Sequence, residues 1–272
     1  MRLSNWHYTT LAWLLLLSTL GVVSLLFARA FKAGDCGTTW SVIELWRDYR
    51  ALHPGGPLDG DYSRGMLTGQ TLVLAGDRYV LVDFFDAGPA CVPEWGTSIQ
   101  SKNGVQIEIH RDRGRTVRRF DEYKYMRWGK AAYLVRKSEL PDFIGTINWF
   151  GQDTGVGFMR DLDGFEVEVP QVPPEYKDFL RTTPITAEVV KVESTSRGDV
   201  MVLDKGNIDG LRLGMILHRA ERSSKMIATV ELTSVSDHES KARWYDLYYP
   251  EKVPAKVGWL WTTGAYTQPD RN

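Results

Sequence analysis

Cysteine is scarce: Cys36 and Cys91 are the only two in 272 residues. No CxxC pair exists for dithiol redox work, and neither cysteine has a histidine at metal-ligand spacing. An excess of charge is missing as well. Lys and Arg number 33 against 34 Asp and Glu, a net charge of −1, so the chain has no overall field to steer nucleic acid toward it. The catalytic signatures are absent too. His7, His53, His110, His218 and His238 are scattered, with no HxH, HExxH, GxSxG or phosphate-loop pattern among them. The nearest thing to paired carboxylates is Asp83 and Asp86 around Phe84-Phe85, with Asp163 as a further candidate. Acid/base use would need two of them to converge in a cleft. The run DLDGFE, from Asp161 to Glu166, begins like a calcium loop, but Phe165 and Glu166 occupy positions that require a ligand and a glycine. It reads as a DG turn feeding the strand FEVEV. The expectation is a protein without enzymatic activity, metal or cofactor.

What the sequence does hold is one long apolar run. Residues 11–28, LAWLLLLSTLGVVSLLFA, contain no charge, and as a helix they would extend roughly 27 Å, nearly the hydrocarbon thickness of a bilayer. Trp6, Tyr8 and Trp13 sit on its amino side, as interfacial aromatics would. The ARA at residues 28–30 also fits a signal-peptidase site. A retained anchor and a cleaved signal are therefore both open, and either exports the rest of the chain. Both cysteines fall in that exported part, where an even pair reads as a disulfide. Its loop would contribute roughly 4 kcal/mol in the chain-entropy model.

Beyond the run, short apolar stretches alternate with turn residues. TLVLAGDRYVLVDFF predicts two strands around a tight turn at Ala75-Gly76-Asp77. GVQIEIHRDRG places Val105, Ile107 and Ile109 on one face, and KAAYLVRK reads as a closing strand. TTWSVIELWRDYRA is a possible helix. SELPDFIGTINWF predicts a short helix, with Ser138 as its cap, Pro141 in the first turn, and Phe143, Ile144 and Ile147 on one face. The glycine- and proline-rich run that follows reads as a connection, with EYKDFL as one helical turn. From Ile185 onward, ITAEVVKVES, GDVMVLDKG, GMILHRA, KMIATVELTSVS, ESKARWYDL and VGWLWTTG give six evenly spaced strands, the pattern of a small barrel. The expected fold is mainly β. An N-terminal signal or transmembrane helix (1–34) precedes a β-rich domain (35–137), a short helix with a Pro/Gly-rich linker (138–183) and a small β-barrel (184–268).

The stretch DKGNIDGLRLGMIL, residues 204–217, could be mistaken for a phosphate cradle, but a strand follows it where a helix is needed. Gly206, Asp209, Gly210, Gly214 and Gly258 are instead assigned to structural turns. With ATVELTSVSDHESKARW and AKVGWLWTTG, this stretch resembles a Gly-rich barrel module of bacterial envelope proteins, found at the C-terminal end of some LysM-containing proteins and of flagellar assembly protein T. The resemblance covers less than a third of the chain and implies a fold and an envelope setting; no LysM repeat accompanies it. YMRWGKAAYLVRKSELPDFIGTIN is similar to segments of uncharacterised bacterial exported proteins.

One charge cluster stands out: HRDRGRTVRRF, with Arg111, Arg113, Arg115, Arg118 and Arg119, a candidate patch for an anionic partner. Asp112, Asp121 and Glu122 partly neutralise it, and a solvated hairpin tip is the competing reading. The functional expectation is a non-enzymatic, membrane-anchored or exported envelope protein acting as a scaffold or interaction module. It meets the membrane through its N-terminal segment, has a possible envelope protein partner, and does not bind nucleic acid. The alternative is a lipocalin-like carrier of small molecules or lipids, motivated by the strand-rich first half and by ten Trp, twelve Tyr and ten Phe.

Overall fold

The computed structural model describes residues 51, 55–65, 68–85, 91–113, 115–151, 155–162, 164, 166–196, 198–220, 228–247 and 254–266. The apolar run, Cys36, Asp86 and Asp163 lie outside these residues, as does all but one residue of the first predicted helix. Among the described residues, no helix is long and apolar enough to cross a membrane.

The chain is mainly β, organised as two closed sheets. The first comprises β1 (Gly60–Arg64), β2 (Thr68–Ala75), β3 (Arg78–Phe85), β4 (Cys91–Ser101), β5 (Gly104–Asp112), β6 (Arg115–Gly129), β7 (Ala131–Arg136), β8 (Phe158–Asp161) and β9 (Val167–Gln171). Consecutive strands pair from β1 to β8, and β8 returns to β1, so eight strands close a meander circuit. The ninth, β9, pairs with β6 beyond the end of β5. Closure removes the unpaired edges that would otherwise recruit other chains.

The predicted hairpin is present: β2 and β3 pair from Thr68–Phe85 to Ala75–Arg78, with Gly76 at φ 58 in the turn. Four strands were not legible in the sequence, β1, β4, β6 and β8. Of these, β8 lies with β9 in the stretch whose glycines and prolines read as a connection, yet Phe158 is buried. Short strands tolerate such composition because only a few of their backbone groups need pairing partners.

One helix links the sheets. Helix α1 (Leu140–Phe150) follows a 3-10 turn at Lys137–Glu139. Its N-cap is Glu139 rather than Ser138, with no side-chain cap bond, because the 3-10 turn draws Ser138 out of the capping position; Pro141 does sit in the first turn. Gly151 at φ 68 ends the helix, its N–H donating to the Ile147 carbonyl at 2.9 Å.

The second sheet is a six-stranded closed barrel in the order β10-β11-β14-β13-β12-β15. Its strands are β10 (Thr186–Thr195), β11 (Gly198–Leu203), β12 (Ile216–Arg219), β13 (Ala228–Val235), β14 (Ser240–Leu247) and β15 (Leu260–Thr262), one in each of the six predicted stretches. Alternate residues, among them Val189, Met201, Leu203, Leu217, Val230, Leu232, Ala242 and Trp261, fill its core.

The molecule divides into two compact units. Among the described residues, one unit holds those up to Asp61, Gly65–Gln100 and Ile107–Phe120, and the other holds Tyr62–Arg64, Ser101–Gln106 and Asp121 onward.

Candidate functional site

In the first unit, the arginine cluster forms the β5–β6 hairpin, with Arg113 in its turn at φ 46. The first residues of β6 are exposed on both faces of the strand. Alternation sends neighbouring arginines to opposite faces. Arg118 is 78% exposed and pairs with Glu108 at 2.8 Å. Its guanidinium lies 5.8 Å from the centre of the Phe120 ring, which is itself 66% exposed.

Arg119 points the other way. It donates to the buried Glu94 carboxylate at 3.2 Å and pairs with Asp112 at 3.6 Å. Tyr79 donates its hydroxyl to the other oxygen of Glu94 at 3.1 Å. The structure therefore divides the predicted patch by partner: Arg119, itself 54% exposed, pairs with the buried Glu94, whereas Arg113, Arg115 and Arg118 project from the surface. The side chain of Arg111 is not among those described. Glu94 had no sequence signal, because its partners come from 15 and 25 residues away.

Of the carboxylates considered for acid/base work, Asp83 accepts a hydrogen bond from Gln70 at 2.7 Å. Asp59 is used in structure: one oxygen accepts from the Gly76 N–H at 2.9 Å and the Gln100 amide at 2.6 Å, and the other from Gly56 N–H at 3.1 Å. Among the described residues, no three His, Cys, Asp or Glu side chains gather in a group able to hold a metal ion. Cys91 lies on β4 opposite Asp83.

In the second unit, α1 is shared. One face carries Leu140, Phe143, Ile144 and Ile147 into a cluster with Met126, Trp128, Tyr133 and Val135 of β6 and β7. The other meets β12, where a Cβ added at Gly145 would stand 3.1 Å from the Ile216 side chain. Only glycine lets the helix approach this closely without displacing that strand.

Farther along α1, Trp149 stacks on His218 with ring centres 5.0 Å apart and planes 3° from parallel. His218 hydrogen-bonds the Gly145 carbonyl, its Nε2 is buried without a partner, and burial pushes its pKa down to about 4. Beside it, the Asn148 amide donates to the Phe179 carbonyl at 2.8 Å and accepts from the Arg181 N–H at 3.2 Å. A water-sized void of about 10 Å³ lies among Ile144, Asn148, Phe179 and Met215.

The 204–217 loop is tied into the same joint. Gly206, φ −140, lies against the Ser236 and Asp237 carbonyls so closely that a Cβ would collide with them. Its N–H donates to Asp209 at 2.9 Å, which holds that carboxyl below the usual range. Gly210, Gly214 and Gly258 adopt φ of 98, 83 and 85. Arg212 bridges from the loop to Asp178 at 3.1 Å and to the Asn207 side chain at 2.7 Å. Arg181 donates to the Gly210 carbonyl at 3.4 Å. The connecting segment, 174–185, is thus pinned at the helix by Asn148 and at the loop by two arginines.

Comparison with protein-family models, curated proteins and solved structures finds no match to this chain.

Proposed function

We propose that this chain is a non-enzymatic envelope protein, tethered or exported by its N-terminal segment, whose two β modules present an interaction surface. The observation behind this reading is the shared helix. Within the second unit, Gly145 packed on Ile216, Trp149 stacked on His218 and Asn148 bonded to residues 179 and 181 hold the helix against the small barrel and the connecting segment. The polar groups that could have suggested chemistry serve packing instead: Glu94 is held by Tyr79 and Arg119, and Asp83 by Gln70. The partner-facing surface in this reading is the outer part of the β5–β6 hairpin, and Cys36 and Cys91 form a disulfide in the oxidising compartment. The test is topology. Protease added to spheroplasts should digest the chain beyond residue 35 while leaving intact cells' protein untouched; digestion only after lysis would reject export.

The closed eight-strand meander also suits the carrier reading, since that architecture can enclose a ligand. Titration with a fluorescent fatty acid separates the two: saturable binding with one site per chain would favour the carrier.

A further inference from the structure

We infer that the β5–β6 hairpin docks on the phosphate groups of an anionic lipid surface, through Arg113, Arg115 and Arg118 with Phe120 as the interfacial aromatic. This rests on the membrane-tether reading above and deepens it by naming what the hairpin meets. Three observations favour lipid phosphate. First, β6 begins with six residues of which five are exposed, on both faces, so the hairpin projects beyond the covered part of the sheet. Second, its arginines divide by task. Arg119, 54% exposed, pairs with Glu94 and Asp112, whereas Arg118 keeps 78% exposure while it pairs with Glu108. Guanidinium groups match phosphate oxygens in two-point geometry, and each basic residue near an anionic membrane strengthens binding about fivefold. Third, a large aromatic ring, 66% exposed, sits beside Arg118. An apolar ring bordered by guanidinium is suited to the headgroup boundary, where the ring enters the acyl edge and the charge meets phosphate. The uncharged run at 11–28 would keep the hairpin close to such a surface.

The experiment uses the full chain reconstituted into phosphatidylcholine vesicles, with and without about 30% phosphatidylglycerol, and reads amide exchange of residues 107–120 by mass spectrometry. Slower exchange in this hairpin only with phosphatidylglycerol, weakening as salt shortens the screening length, is the expected result. The triple variant Arg113→Glu, Arg115→Glu, Arg118→Glu should abolish the difference, and Arg113→Lys, Arg115→Lys, Arg118→Lys should restore most of it. Phe120→Ser should reduce it while leaving the salt dependence. Equal exchange in both vesicle types, with the chain inserted, would overturn the lipid docking but leave the tether intact. Protection by soluble poly-glutamate equal to that by phosphatidylglycerol would overturn it in favour of an acidic protein partner. Release of the chain from both vesicle types would remove the tether, and the docking with it.

Discussion

At the scale of single residues, the joint depends on a few groups with no freedom to change. His218 is 5% exposed and held neutral, its pKa lowered from 6.5 to about 4 by burial. In the unfolded chain it protonates near 6.5, so the unfolded state binds more protons between these values. The stability present above pH 6.5 is lost as pH falls toward 4, by about 3 kcal/mol. A melting series from pH 7 to pH 4 should show this loss, and His218→Phe should flatten that part of the curve. An NMR midpoint for His218 near 6.5 would contradict it. Asn148→Ala leaves the Phe179 carbonyl and the Arg181 N–H without their buried partner, an expected cost of about 2–5 kcal/mol, measurable by denaturant unfolding. Two glycines make a paired test. Gly206→Ala drives a methyl into two carbonyl oxygens and should cost about 2–4 kcal/mol. Gly258→Ala meets open space and bears only the strain of its positive φ, about 1–2 kcal/mol. Equal costs would contradict the crowding assigned to Gly206.

At the scale of elements, α1 is the piece on which both packing faces converge. Gly145→Leu should push the helix from β12 at a cost of about 1–3 kcal/mol. It should also expose residues 171–185 to limited proteolysis, because Asn148 then loses its register with Phe179 and Arg181. Unchanged cleavage would mean the connecting segment is not held by the helix. What the sequence revealed about these elements follows from how local their determinants are. The six barrel strands could be read because each is short, alternates, and ends at polar or glycine residues such as Gly210 and Gly214 whose positive φ is a local requirement. Helix α1 was readable from the spacing of Phe143, Ile144 and Ile147, all buried, but its start was misplaced because a 3-10 turn intervenes. Strands β4 and β8 were not readable: Pro93 and Gly96 interrupt the alternation of one, and the other has only four residues beside a glycine-rich run. Their pairing is set by neighbouring strands and leaves little local trace. The site followed the same logic. The arginine cluster was visible as a run, but the diversion of Arg119 to Glu94 depends on a strand 25 residues away.

At the scale of the whole molecule, the account joins an apolar N-terminal run, a cysteine pair and two closed β sheets into an exported, tethered scaffold. The sheets protect their own edges, and the joint around α1 holds the small barrel to the segment that leads into it. The presence of two sheets does not by itself specify an activity; in the proposed reading, an envelope location would give the exposed arginine hairpin its partner. The most direct measurement is therefore intact mass and membrane partitioning of the natively expressed chain, with alkylation before and after reduction. The account predicts a protein found in the envelope fraction, at full mass in the membrane or shortened by about thirty residues in the soluble envelope contents, whose two thiols react only after reduction. Two thiols that alkylate without reduction, on a full-length chain in the cytosolic fraction, would contradict it.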